Sequence, residues 1–144
     1  MKQEQSAQAL IRSWKNQGLV ILDGASQAEL KKLEQACGVR LPEDFKNYLS
    51  CANGMQIDDW DDNMIRFWPL QEIRAPTGMI PPLDSSPPTS LIFADYLIDS
   101  HFFALEFSAN SEVRVINLSS ERKAVIAGSF SEFIDLCLAK NLPL

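Results

Sequence analysis

The 144-residue chain is 46% hydrophobic and 22% charged, the size and balance of one globular domain, expected to span residues 1–144. Its net charge of −6 argues against direct contact with nucleic acid, because holding a polyphosphate takes a basic face. No apolar run approaches the ~18 residues that span a bilayer, and the opening MKQEQSAQAL has no signal-peptide core. A cytoplasmic protein without a membrane partner is the expectation.

In SAQALIRSW, Ala7, Leu10, Ile11 and Trp14 recur at i, i+3, i+4 and i+7, one face of an amphipathic helix that ends before Gly18. LVIL (Leu19–Leu22) is too short and continuous to assign. In the SQAE that follows, Ser26 and Glu29 have the spacing of a capping box, so a second helix is predicted to run to Cys37 with Gly38 as its stop. In GVRLPEDFKNYLSCANGM, Pro42 suits a first helical turn and Glu43 and Asp44 complement the helix dipole. Phe45, Tyr48, Leu49 and Ala52 then form one face, and Asn53-Gly54 reads as the C-terminal cap.

From Met55 the periodicity changes. MQI (Met55–Ile57) and MIRFW (Met64–Trp68) read as a strand pair joined by the acidic loop DDWDDN, after which PLQEI leaves the sheet. Arg74 to Ser90 holds five of the eight prolines and is predicted to be a long surface loop. LIFADYLI, HFFALEF and EVRVINL, divided by DS and SANS, suggest an antiparallel meander with room for a further short strand at AVIA. In the closing SFSEFIDLCLAKN, Ser129 and Glu132 repeat the capping-box spacing, and Phe130, Phe133, Ile134, Cys137 and Leu138 form the inner face of a last helix. Helices segregated from strands predict an α+β fold: a mainly antiparallel sheet, with N-terminal helices and a C-terminal helix packed on it.

Catalytic chemistry finds little support. Three cysteines, Cys37, Cys51 and Cys137, fall in helical segments without a CxxC pair, so neither a disulfide framework nor a zinc knuckle is indicated. His101, the only histidine, shares a strand face with Phe103 and Leu105 unless a bulge intervenes, and no sequence feature pairs it with a cysteine. An EF-hand started at Asp61 finds Asn63 and Glu72 in register, yet Ile65 and Arg66 stand where a ligand and the glycine belong. Adjacent aspartates in a hydrophilic turn are badly placed as a glycosidase pair, and phosphate-loop, GxSxG and HExxH motifs are absent. No catalytic residue, metal or cofactor is expected.

A protein-binding face is better supported. Between Met55 and Glu106 nine acids meet two bases, Arg66 and Arg74, whereas the rest of the chain is nearly neutral. Asp58, Asp59, Asp61 and Asp62 surround Trp60, and Trp68 follows closely. A tryptophan set among charges has the composition of an interaction anchor, and the acidic section would speed encounter with a basic protein. A solvated hairpin tip is the plainer alternative, and the proline-rich loop is a second candidate face.

The segment SQAELKKLEQACGVRLPEDFKNYLSCANGM resembles the signature of the SUKH superfamily, through Glu34, Gly38, Leu41-Pro42, Phe45 and Asn53-Gly54. The resemblance extends less specifically to about Leu138; it departs at Met55, where a second glycine is common, and at IDSH, where the family has a glycine-containing turn. It implies an α+β fold without an enzymatic site, and a role either as an immunity protein that binds a toxin domain, often a nuclease, or as a regulator related to those of fungal cell-wall synthesis. The motif residues themselves read as scaffold. The expected partner is a basic toxin domain met by Asp58, Asp59, Trp60, Asp61, Asp62 and Trp68, with the protein a monomer or weak homodimer. A regulatory or scaffold module is the alternative, and an enzyme acting through His101 or the carboxylates a third.

Overall fold

Helix α1 (Lys2–Asn16) buries the predicted stripe of Ala7, Leu10, Ile11 and Trp14. The protein is represented by a computed structural model that describes residues 2–85, 87–110 and 112–143. Helix α2 (Gln27–Cys37) starts at the predicted capping box, with Ser26 and Glu29 each bonded to the other's backbone N–H, and stops at Gly38, which takes the left-handed conformation (φ 67°). Glu34 then reaches forward to accept the Leu41 N–H at 2.7 Å, which fixes the turn into helix α3 (Glu43–Cys51). Pro42 sits at the N-cap of α3, one position before the first turn predicted for it.

Buried Asp44 does more than face a helix dipole. One of its oxygens accepts the Phe45 N–H, and the other accepts both the N–H and the hydroxyl of Ser131 at 2.9 and 3.1 Å. It thereby ties α3 to the first turn of helix α4 (Phe130–Leu138), itself capped by Ser129. Phe130, Phe133, Ile134 and Cys137 are buried as expected, but Leu138 is exposed, because the helix ends there and turns away from the core.

The strands form one five-stranded antiparallel sheet in sequence order: β1 (Ile65–Phe67), β2 (Ser90–Tyr96), β3 (His101–Phe107), β4 (Val113–Leu118) and β5 (Lys123–Ala127). A bulge at Phe93 shifts the β2 register, and Phe93 packs against Phe45, Phe67, Phe130 and Phe133 on the helix side. Trp14 and Tyr48 join the same aromatic cluster through Phe67, so α1, α3 and α4 share one core with β1, β2 and β3. The fold is α+β, with helices from both ends of the chain against one face of the sheet. On the other face Trp68 packs edge-on to Phe102, and the segment with Met79, Ile80, Pro81 and Leu83 borders a cleft over the same two rings.

Two local expectations are corrected. MQI forms no strand, because the Arg66 guanidinium takes the Met55 and Gln56 carbonyl oxygens at 3.0 and 3.1 Å that a ladder would need. Asn53-Gly54 does not cap α3, which ends at Cys51 with Ala52 already extended. Asn53 instead accepts the Leu70 N–H at 2.6 Å, and Gly54 (φ 68°) backs onto the Trp68–Pro69 peptide, so that an added Cβ would lie 2.5 Å from the Trp68 carbonyl carbon. Gly54→Ala adds this backbone clash to the left-handed strain of an L-residue; a loss of about 2 kcal/mol or more is expected, seen as a Tm drop of roughly 6 °C in thermal unfolding.

Candidate functional site

The loop from Met55 to Met64 is held at both ends. Met55 donates to the Phe67 carbonyl at 2.8 Å, and Arg66 grips the loop's first carbonyls while forming a bidentate pair with Glu72 at 2.8 and 2.9 Å. The pairing holds the Arg66 guanidinium more firmly protonated than usual and the Glu72 carboxyl below its ordinary range. At the far end Asp61, buried, accepts the N–H groups of Asn63 and Ile65 through one oxygen at 2.9 and 3.0 Å. The aspartate is therefore the loop's internal brace. Between these anchors Trp60 is left 44% exposed, whereas Trp14 and Trp68 are buried.

A second loop meets it. The turn from Tyr96 to Ser100 joins β2 to β3 and is closed by the Ser100 N–H on the Tyr96 carbonyl at 3.1 Å; the Leu97 N–H is bonded to the Met64 carbonyl at 3.0 Å. Leu97, Ile98 and Asp99 all have positive φ, between 51° and 66°. The two loops enclose a groove of 560 Å³. Trp68 and Asp95 lie in its wall, the indole N–H donating to the Asp95 carboxylate at 2.6 Å. Burial pushes the Asp95 carboxyl above its ordinary range, and the indole bond works against that rise. Asp58, Glu72, Asp95 and Asp99 give the groove four carboxylates against the guanidinium groups of Arg66 and Arg74, the latter stacked 5.7 Å over Trp68. Ile57, Trp60, Met64 and Ile98 supply exposed apolar surface around them.

The sequence order that produces this arrangement matches the SMI1 / KNR4 family (SUKH-1) over residues 24–136, most of the chain. The chain belongs to that family. Comparison with curated proteins gives no match. The SUKH family is a family of protein-interaction modules and is generally non-enzymatic. Its signature residues are scaffold in this SUKH chain: Glu34, Gly38, Asn53 and Gly54 hold turns, and Leu41 and Phe45 lie in the core.

The six residues singled out in the sequence go to different places in the SUKH fold. Asp58, Trp60 and Trp68 line the groove. Asp59 is half-buried and outside the groove wall, and Asp61 points inward. Asp62 faces α1 and α4, pairing with Lys140 at 2.8 Å while its N–H donates to Gln17. Ile57, Met64, Asp95, Ile98 and Asp99 escaped the sequence reading; the signal that could have found the last two is an Ile-Asp pair in a turn whose neighbours are strand-like.

Among the described residues no second group is brought to His101 or to the aspartates for the histidine and metal alternatives. His101 shares the Phe103 side of β3, its ring 5.9 Å from Tyr96, while Cys137 lies in the last turn of α4 beside Asp61 and Asn63. Among the described residues no group of three His, Cys, Asp or Glu side chains could hold a metal ion, and no helix is long and apolar enough to cross a membrane.

Burial, helped by the nearby Asp62 charge, pushes the Asp61 carboxyl up to about 6 despite its two N–H donors. Since an unfolded aspartate titrates near ~4, the folded state takes up the extra proton between about pH 4 and 6, and Asp61's contribution to stability falls as pH rises through that window. Asp61→Asn keeps the accepting oxygen and removes the charge. Its stability relative to wild type should improve from pH 4 to pH 7.5 by up to about 3 kcal/mol, measured by urea unfolding; an unchanged difference would contradict the assignment.

Proposed function

We propose that this SUKH chain is a non-enzymatic, cytoplasmic immunity protein that binds a basic toxin domain and neutralises it by covering its working surface, with the groove beneath Trp60 as the contact face. The observation that carries this reading is the gathering of exposed apolar side chains, Ile57, Trp60, Met64 and Ile98, around a groove with an excess of carboxylates. Solvent-exposed apolar residues scattered singly are ordinary; several on one groove around a tryptophan form an anchor. A nuclease toxin must present cations to its nucleic acid, so an acidic groove can occupy that surface and gains association rate from opposite charge.

The alternative is a regulatory or scaffold module with several endogenous partners at the same surface, a reading the SMI1 / KNR4 description of the matching family supports. The two differ in whether a toxin gene lies beside this one, and in whether one partner or many bind.

Against the toxin domain encoded by the adjacent gene, Trp60→Ala should weaken binding by ~30-fold or more, as loss of a central tryptophan anchor does. Asp58→Asn should act mainly by slowing association and flattening the salt dependence. Asp62→Asn, on the far side of the loop and already paired with Lys140, should bind as wild type does. Wild-type affinity in Trp60→Ala, measured by surface plasmon resonance, would overturn the placement.

A further inference from the structure

Among the described residues six non-glycine residues have positive φ, and four of them, Asp58, Met64, Ile98 and Asp99, line this one groove, with Leu97 in the same turn. L-residues rarely adopt this conformation, and a β-branched one least of all. Burial does not offset the cost, since Leu97 and Ile98 are 45% and 72% exposed. Glycine would suit position 98 better if folding alone were at stake. Backbone hydrogen bonds from Leu97 to Met64 and from Ser100 to Tyr96 hold the turn, yet its side chains gain no packing in exchange, and strained backbone that presents exposed side chains is a mark of a functional segment.

We propose that the Leu97–Asp99 turn is a partner-contacting element, and that with Trp60 it takes a single arginine side chain of the bound protein. This rests on the binding reading above and names what enters the groove. The apolar stem of an arginine suits the Trp60 and Ile98 side chains, and its guanidinium suits Asp58 and Asp99. Glu72 is already committed to Arg66, and Asp95 to the Trp68 indole; Asp58 feels the Arg66 charge only at longer range, so Asp58 and Asp99 keep their carboxylate oxygens for an incoming cation. Arg74 stacks on Trp68 at the cationic end of the site, and Arg66 is already neutralised by Glu72, so the groove offers an acidic side chain less than it offers a cation.

The test uses the full chain and two readouts. In thermal unfolding Ile98→Gly should raise Tm by about 2 °C or more, through relief of the left-handed strain. In an NMR titration with N-acetyl-arginine methylamide, the Trp60 indole and the Ile98 and Asp99 amides should shift and saturate. The apparent Kd should rise at least fivefold in Asp99→Asn, a residue that tolerates positive φ, and in Ile98→Gly. An unchanged or lowered Tm in Ile98→Gly, shifts confined to other surfaces, or equal binding of the uncharged citrulline analogue would overturn the proposal. If Trp60→Ala loses the toxin domain but both turn variants keep full affinity for it, this inference fails and the immunity reading stands. If the arginine probe binds as expected and no toxin domain does, the immunity reading fails and the arginine site stands.

Discussion

The contact of Gly54 with the Trp68–Pro69 peptide decides where the rest of the site can be. It lets the chain leaving α3 press flat against the chain leaving β1, and the Met55 to Phe67 hydrogen bond follows from that approach. Arg66 then has the Met55 and Gln56 carbonyls within reach and cannot leave them to a strand partner. The residues up to Met64 are thus forced outward as a loop, braced from inside by Asp61 and closed by Leu97 on Met64. A loop fixed at each end by hydrogen bonds presents Trp60 with less ordering cost on binding than a free one would.

Within this frame, charge and apolarity are divided in a consistent way. Acids with a structural task are paired or buried: Asp44 of α3 bonded to Ser131 of α4, Asp61 in its loop, and Glu106 between Arg114 and Lys123 at 2.7 and 2.8 Å. In each the carboxylate accepts N–H or cationic donors, as a buried acid must. Asp58 and Asp99 are exposed on left-handed backbone instead. Two of the groove's four carboxylates thus come from residues whose backbone is costly and whose side chains make no hydrogen bond or ion pair among the described residues, while Glu72 and Asp95 are tied to Arg66 and Trp68. The SUKH signature residues and the groove share no residue: the first hold turns and core, the second present exposed side chains.

Much of the fold was legible because its signals are local. The capping box at Ser26, the N-cap at Ser129, the helical stripes, and the order of strands from Ser90 to Ala127 depend on near neighbours in sequence. The false strand at MQI shows where that reasoning stops: Arg66, ten residues from Gln56, competes for backbone oxygens through its side chain, and composition carries no trace of the contest. The candidate groove was half legible for the same reason. Trp60 and Asp58 announce themselves as a tryptophan in an acidic run, yet in that run the direction of each aspartate is set by the turn, sending Asp61 inward and Asp62 to Lys140. Ile98 and Asp99 lie some forty residues along the chain and join the groove only through β1–β2 pairing; the departure at IDSH hinted at an unusual turn and gave no indication of what it faces.

The central claim is that one groove, built from the Met55–Met64 loop and the Tyr96–Ser100 turn, is where a partner binds. Hydrogen–deuterium exchange of the protein alone and saturated with the proposed toxin partner tests it most directly, since every exposed loop is read at once. The account predicts slowed exchange in residues 56–66 and 96–101, with little change in the cleft beside Arg40 and Glu112. Protection confined to that cleft or to the α2 surface, with the groove exchanging as in the free protein, would contradict it.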